Sequence, residues 1–525
     1  MTSSARSTRS NRTRRHAAAA IVCTFAFAAS SAVTLLPTRA SAQHPAAGAT
    51  HRAVTIAGPA PGISGSILQQ ALNGPHHEWI VAPGETGLVP RDTSFDATLV
   101  IVGGSARVQA KVKGDVIVTG GDLILGVGVR IEGRAIAIGG IVYHSPWAYV
   151  RDSTYTYTVH RYDLERRSGA PALVYRRQRE SEGRAPFELP GYYGIREITY
   201  DRVQGVGISY GPDLVIPFAD ARINLAAAWH SSLGAFDPSV HLRIPFATAA
   251  ALDLDARRET HSNELWIESN LDNTFSTLVS GADARNYYRA KRVEGLVSRP
   301  IEFLRGRLEV EAGARWEDAS SAFTTTPVLW SVFLQYVERG MERRNPPILP
   351  GEISSALVGA KLEYDQGGVA TRLQLRAEVP WQGVGERYQQ MVLDGSLFLP
   401  TVGAQYYRAH MHAVVTTGGP APAQRFHYLG GPLTISTLAL MSLGGDELLH
   451  LEQLYTFPLT GIDDPLIGTP KLSVRHVLAA ADVGRLGVVY HNVGLRLDVG
   501  VVRVDFVMDP VGKGTYLSFS AAIGP

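Results

Sequence analysis

The chain has 525 residues and a formal net charge of +2, from 50 Lys and Arg against 48 Asp and Glu. This length allows two or more domains, and the nearly neutral balance gives no case for a nucleic-acid partner. The single cysteine, Cys23, excludes an internal disulfide and any metal site built from several cysteines.

The first segment has the pattern of a secretory signal peptide. An arginine-rich leader over residues 6–15 precedes the apolar run AAAAIVCTFAFAASSAVTLL and the small-residue sequence RASAQ. We predict that residues 1–42 are removed after Ala42; the alternative is an uncleaved anchor helix. Because Cys23 lies in this segment, the mature chain would carry no thiol. Residues 43–77 are predicted to be a linker, and no later stretch has the roughly 18 consecutive apolar residues of a membrane-spanning helix.

Residues 78–145 are predicted to form a short periplasmic β-helix domain. Gly-Gly pairs begin at Gly103, Gly120 and Gly139, 17 and 19 residues apart, and each follows a short apolar run. A fixed period of short strands with glycine corners is typical of a solenoid. The stretch KVKGDVIVTGGDL resembles the polymer-forming, bactofilin-like β-helix, which implies self-association; a capped, monomeric spacer is the alternative. The charged residues 146–195 are interpreted as a second linker, either solvated or near lipid head groups.

From residue 196 to residue 525 the pattern is alternation. In GRLEVEAGARWED, Leu308, Val310 and Ala312 share one face, and Glu309 and Glu311 share the other. Period two indicates strands with one apolar and one polar face. Long strands behind a secretory signal, with charges in mid-strand, favour a transmembrane antiparallel barrel with a polar lumen. The predicted fold class is therefore all-β: an outer-membrane barrel of about 16 strands, in the range of about 12 to 16, after a short β-helix.

One stretch of this region is specific, the sequence RFHYLGGPLTISTLALMSLGGDELLHLEQLYTFPL that ends at Leu459. It resembles the bacterial surface-antigen barrels, which include the core of the outer-membrane barrel-assembly machinery and the two-partner-secretion transporters. The resemblance implies a loop folded into the lumen, with these motif residues: Arg425, Phe426, Gly430, Gly431, Pro432, Ser436, Gly444, Gly445 and Asp446.

The pair that fastens this loop in the family is altered here. The family's tip arginine falls at Ser436, and the facing wall motif holds Asp482 and Gly484, with Ala480 in place of an aromatic. Asp482 is left to pair with Arg425, Arg475 or water. The polypeptide-transport modules that usually precede such a barrel are replaced by the β-helix.

The resemblance implies a role in assembly or translocation of a substrate at the outer membrane. The alternatives are a non-transporting barrel that anchors a periplasmic β-helix scaffold, a passive pore and, last, an autotransporter. The expected partners are outer-membrane lipid and, through the β-helix, a periplasmic protein or a second copy of the chain; no nucleic acid is expected. No catalytic residue, cofactor or metal site is predicted, and the cluster of His76, His77 and Glu78 lacks metal-ligand spacing.

Overall fold

The computed structural model describes the following residues: 54–145, 148–152, 154–176, 185–247, 250–303, 306–322, 331–332, 343–366, 369–459, 469–499, 502–512 and 515–521. The predicted signal peptide lies outside them. Within these ranges, no helix is both long and apolar enough to cross a membrane.

Residues 54–176 form an N-terminal unit of short strands and one helix. Its elements are β1 (Thr55–Ala57), α1 (Gly62–Asn73), β2 (His76–Ile80), β3 (Thr86–Val89), β4 (Ser94–Phe95), β5 (Thr98–Val102), β6 (Ser105–Val108), β7 (Lys111–Val112), β8 (Val116–Thr119), β9 (Leu123–Leu125), β10 (Arg130–Ile131), β11 (Ala135–Ile138), β12 (Val142–His144), β13 (Tyr149–Val150), β14 (Thr154–Tyr157), β15 (Arg161–Arg167) and β16 (Ala170–Arg176).

Strands β2 to β14 build a solenoid of about four turns with three parallel sheets. Its register follows the glycine period, since Ile101 pairs with Val118 and Val118 with Ala137, at steps of 17 and 19 residues. The first glycine of each pair has a positive φ, as at Gly120 (88°), which disfavours any other residue. The predicted β-helix is thus present, although its strands extend from His76 to Tyr157.

Both predicted linkers are wrong where the structure describes them. Helix α1 and the β15–β16 hairpin cover the outer face of the sheet that contains β8, and Leu68, Tyr162 and Leu173 in this cover are fully buried. Strand β8 is therefore buried on both faces, which explains a continuous apolar run where a half-exposed strand would alternate. The charges that suggested a linker lie on the hairpin's other face, where Arg176 pairs with Asp163.

The remaining strands form one large antiparallel sheet, apart from the small hairpin of β30 and β31. They are β17 (Phe187–Glu188), β18 (Ile195–Asp201), β19 (Gly205–Tyr210), β20 (Asp213–Ile216), β21 (Ala221–His230), β22 (Ala235–Ala247), β23 (Ala250–His261), β24 (Tyr288–Phe303), β25 (Gly306–Ser321), β26 (Gly351–Gln366), β27 (Val369–Gly383), β28 (Tyr388–Pro400), β29 (Tyr406–Gly418), β30 (His427–Leu429), β31 (Leu443–Gly445), β32 (Glu447–Pro458), β33 (Lys471–Asp482), β34 (Tyr490–Val499), β35 (Val502–Met508) and β36 (Thr515–Ala521). Helix α2 (Asn270–Ser280) and two short 3-10 helices, Glu264–Trp266 and Ala423–Arg425, lie in the connections.

The sheet contains 18 strands of the described chain, in sequence order. Strand β21 pairs with both β19 and β20, which follow one another along its edge, and β17 and β18 continue each other in the same way. The described strands therefore occupy about sixteen rows, the predicted number for a barrel. Helix α2 packs against β18 and also contacts β36, so the two ends of the sheet approach one helix. This all-β architecture is consistent with the predicted barrel.

The two ends of the barrel differ. Strand pairs such as β24–β25 and β34–β35 are joined by short turns at one end, where Phe303 pairs with Gly306 and Val499 with Val502. Long connections follow β23, β25 and β29 at the other end. The N-terminal unit contacts the short-turn end, since α1 packs against β24.

Candidate functional site

The barrel wall has two chemically distinct faces. On β25, Glu311, Arg315 and Glu317 are buried on the inner side, whereas Val310 on the other side is 37% exposed. The same alternation places exposed apolar side chains outside on most strands of the barrel, for example Val297, Val358 and Leu495. A polar interior and an apolar exterior were predicted from the sequence, and the structure confirms both on the strands it describes.

The specific stretch forms a loop between β29 and β32 that folds into the interior. Pro422 leads into the short 3-10 helix, and β30 pairs with β31 as a small hairpin. The hairpin turns at Gly430 and Gly431, whose φ values of 123° and 97° favour glycine. A Cβ on Gly430 would lie 2.3 Å from the Ala439 carbonyl oxygen, so the turn also needs the missing side chain for space. We call residues 419–446 the lumen loop.

Arg425 fastens the base of the lumen loop to the wall. Its side chain is buried, and it donates to both carboxylate oxygens of Glu378 on β27, at 2.9 and 3.1 Å. It also donates to Glu317 on β25 at 2.6 Å and to the Tyr288 hydroxyl at 3.3 Å. A buried guanidinium between two carboxylates retains its charge, and the bidentate contact with Glu378 fixes its orientation.

The carboxylates that receive Arg425 belong to a larger ion network. Arg292 on β24 also pairs with Glu317, and Arg315 on β25 also pairs with Glu378. Ser355 on β26 donates to Glu378 at 2.6 Å. The network therefore links strands β24 to β27 to the lumen loop and keeps each buried charge paired.

The tip of the lumen loop is held by an arginine that comes from the wall. Arg475 on β33 is 1% exposed and donates to the Thr434 carbonyl at 3.1 Å and to the Ser436 hydroxyl at 3.3 Å. Thr437 is bonded to Asn492 of β34 at 2.9 Å. At Ser436 the donor of this contact therefore lies on the wall and the acceptor on the loop.

Asp446 closes the loop at its far end. Its carboxylate accepts from the amides of Ala421 and Gly484, each at 2.7 Å, and it is fully buried. A Cβ on the neighbouring Gly445 would lie 1.9 Å from the carbonyl oxygen of Asp482, so the loop and wall backbones touch here. A Cβ on Gly444 would lie 2.1 Å from the ring of Tyr428.

The structure brings together most of the predicted motif, but through other partners than those considered. Asp482 pairs with Arg485 at 3.5 Å, at a largely exposed site, and not with Arg425 or Arg475. The Phe426 carbonyl accepts from Asn263 at 2.8 Å, and the Pro432 carbonyl accepts from Ser436 at 3.4 Å. The wall residues that complete the site are Glu317, Glu378 and Arg475. Their one signal in the sequence is that each is charged and occupies an inward position of an alternating strand.

A carboxyl group lies beneath the loop hairpin. Glu264 accepts from the amides of Asn286 and Tyr428, and its side chain is fully buried. Burial raises the pKa of Glu264 to about 7, although these hydrogen bonds act in the opposite direction. Nearby, burial also raises the pKa of Glu268 to about 8.

The lumen loop leaves part of the interior open. A cavity of about 430 Å³ lies along the wall from β18 to β23, and it is lined by polar side chains such as Asn224, Ser239, His241 and Arg257. The lumen loop bonds instead to β24, β25, β27, β28, β29, β33 and β34 and to the connection after β23. The interior of the barrel is thus divided into a plugged side and an open, polar side.

At the short-turn end, one buried contact joins the N-terminal unit to the barrel. Glu302 of β24 accepts from the Ser64 hydroxyl of α1 at 2.7 Å and pairs with His160 at 2.9 Å. The side chain of Glu302 is 2% exposed.

The histidine pair near the start of the solenoid is part of strand β2. His76 bonds to Glu78 at 2.8 Å, and His77 bonds to Asp96 at 2.9 Å. Glu78 also accepts from the amide of Val54. In the described part of the chain, no three His, Cys, Asp or Glu side chains are close enough to hold a metal ion together.

No protein-family model matches the chain, and no curated protein matches it. Solved structures that are similar to the chain include two CdiB proteins. CdiB from Escherichia coli is 11% identical over 69% of this chain and 66% of its own, with a TM-score of 0.39. CdiB from Acinetobacter baumannii is 12% identical over 69% of this chain and 65% of its own, with a TM-score of 0.38. The chain thus spans slightly less than two thirds of each structure, and similarities of this size do not identify a function.

Proposed function

We propose that the chain is an outer-membrane β-barrel of surface-antigen type that assembles or translocates a substrate, with the lumen loop as an internal plug. The observation that carries this proposal is the loop itself, which is anchored by the buried Arg425 inside a polar lumen. An apolar outer face is what lipid requires, and closure of the sheet satisfies the backbone of its strands.

The orientation in the membrane is part of the proposal. Barrels of this class place short turns in the periplasm and long loops outside the cell. The N-terminal unit contacts the short-turn end, so we place it in the periplasm, at the mouth of the barrel.

A second candidate function is a non-transporting barrel that anchors a periplasmic scaffold. The buried contact of Glu302 with Ser64 and His160 supports it, because it fastens the solenoid to the barrel. A passive pore is the third candidate, and the open, polar side of the lumen supports it.

Planar-bilayer conductance of the refolded chain, with and without residues 54–176, tests these candidates. Discrete channels that grow when the lumen loop is released support a plugged conduit. A channel that appears only after removal of residues 54–176 makes the N-terminal unit the plug. Absence of insertion and of conductance in every form excludes the conduit and the pore.

Thiol modification locates the path. In a Cys23→Ser chain, Ser239→Cys on the cavity wall would place a single thiol in the open side. We expect a charged thiol reagent to reduce the conductance of this variant. Val240→Cys, on the next and outward position, is the matched control and should not respond. Equal responses of both variants would show that the current does not pass along this wall.

A further inference from the structure

Four histidines meet where the hairpin of the lumen loop contacts the wall. His410 and His412 follow each other on the inner face of β29, and His450 of β32 pairs directly with His412. His427 is the first residue of β30. Three of them are buried: His412 and His450 are each 2% exposed, and His427 is 7% exposed. Histidine is the side chain whose charge ordinarily changes near neutral pH.

A chain of hydrogen bonds crosses from the wall into the loop. The carboxylate of Asp394 on β28 lies 3.1 Å from Nδ1 of His412, and Nε2 of His412 lies 3.1 Å from Nδ1 of His427. His410 also bonds to Asp394, at 3.3 Å. With Nδ1 of His412 donating to the carboxylate, Nε2 of a neutral His412 accepts from His427.

This bond between two imidazoles depends on their protonation. One ring nitrogen must donate and the other must accept, so the pair can hold one added proton but not two. When both rings are protonated, both facing nitrogens carry a hydrogen, and two cations stand about 3 Å apart in a buried site. The same event that breaks the bond therefore also drives the loop from the wall.

A tryptophan couples this site to the neighbouring connection. The indole of Trp266, in the short helix after β23, stacks on the ring of His412 with centroids 4.2 Å apart and planes 3° apart. It also contacts His450 at 5.1 Å. Both ring nitrogens of His450 lack a hydrogen-bond partner among the described residues. This histidine is therefore packed in its neutral form, because no hydrogen-bond acceptor in the described part of the chain is placed to stabilise a second N–H group on the ring.

Some of the charged groups around the histidines favour their protonation and others oppose it. Glu452 and Arg475 face His450, and His261 and Arg425 lie near His427. Burial lowers the pKa of His427 well below its usual value, and the neighbouring His412, His261 and Arg425 lower it further. Docking of β30 is thus weakened as the pH falls below the ordinary histidine value of about 6.5. Protonation of Glu264, which lies beneath Tyr428, has the opposite effect on docking. Because the pKa of Glu264 is raised, a lower pH favours the docked loop.

We propose that Asp394, His412 and His427 form a proton-operated latch, which holds the hairpin of the lumen loop against the wall when at most one added proton is shared and releases it when both histidines are protonated. A metal site is not proposed here, because the described side chains do not converge on one.

Amide hydrogen exchange of residues 426–446 in the refolded full chain tests the latch. For each proton taken up on release, the docking equilibrium changes by up to about tenfold per pH unit. After correction for intrinsic exchange rates, we expect protection of this segment to fall at least about tenfold between roughly pH 7.5 and pH 5. His427→Gln and His412→Gln should each abolish most of this change, because an amide does not titrate.

His241→Gln is the matched control, since His241 lies on the inner wall away from the loop and is 39% exposed. It should retain the full pH response. A wild-type protection that does not change with pH would overturn the latch, as would an equal loss of protection in His427→Gln. Protection of β24 amides, measured in the same spectra, shows whether a variant is folded. The readout does not depend on conductance, so failure of the latch and failure of the proposed transport are told apart.

Discussion

Replacement of Arg425 by alanine should undock the lumen loop without unfolding the barrel. The substitution removes the two bonds to Glu378, the bond to Glu317 and the contact with Tyr288. Loss of one partner of a buried ion pair costs about 3–5 kcal/mol. The lower end applies here, because Arg292 and Arg315 still neutralise the two glutamates. A cost of about 3 kcal/mol changes the docking equilibrium roughly 150-fold.

The assay combines exchange and conductance. Amides of residues 426–446 should lose protection by about two powers of ten in Arg425→Ala, while amides of β24 and β25 keep theirs. Single-channel recordings should show a larger or more frequent open state. Arg243→Ala is the matched control, since Arg243 on β22 pairs with Asp253 on β23, on the open side of the lumen. Unchanged protection in Arg425→Ala would refute the assignment of Arg425 as the anchor.

Three further changes test other parts of the structure. In thermal unfolding, Gly445→Ala should destabilise the loop base by about 1–3 kcal/mol, because its Cβ would lie 1.9 Å from the carbonyl oxygen of Asp482. Gly74→Ala is the control: the nearest atom to its Cβ would be 3.4 Å away, so its effect in the same measurement should be close to neutral. Glu302→Gln should increase the exchange of α1 amides, because it removes the charge that pairs with the N-terminal unit; unchanged exchange would mean that apolar packing alone holds the unit. Because the pKa of Glu264 is raised to about 7, its contribution to stability is full below the ordinary carboxyl pKa and is lost as the pH rises through about 7. In Glu264→Gln, the amide protection of residues 262–286 should therefore depend less on pH. An unchanged pH dependence in this variant would contradict the prediction.

The parts of the fold that follow a period were predictable from the sequence. The glycine pairs at Gly103, Gly120 and Gly139 fixed the solenoid repeat, and alternation along β25 gave the two faces of the wall. The covering elements were not predictable in this way. The hairpin of β15 and β16 carries charges on its outer face, and helix α1 exposes the polar Gln69 and Gln70. Only the tertiary structure shows that Leu68 and Tyr162 close a second core against the solenoid.

The candidate site shows the same division. The backbone of the lumen loop followed from its glycines and from the resemblance, whereas its fastening did not. Sequence reasoning found no arginine at the loop tip and left Asp482 to pair with Arg425, Arg475 or water. The actual anchors are Arg425, which reaches across to β25 and β27, and Arg475, which reaches the loop from the wall. Such pairings depend on which strands face each other across the lumen, and neighbouring positions in the sequence do not encode that distance.

The clasp between the first and last strands of the N-terminal unit has a mechanical consequence. Strand β1 runs parallel to β16, with Thr55 opposite Ala172 and Ala57 opposite Val174. The chain thus enters and leaves this unit on two adjacent, paired strands. The solenoid is the segment of chain between these two strands. A pulling force applied at residue 54 would load the β1–β16 pairing in shear and be transmitted along β16 towards the membrane. The solenoid coils would therefore bear no force until the three residue pairs between β1 and β16 had separated.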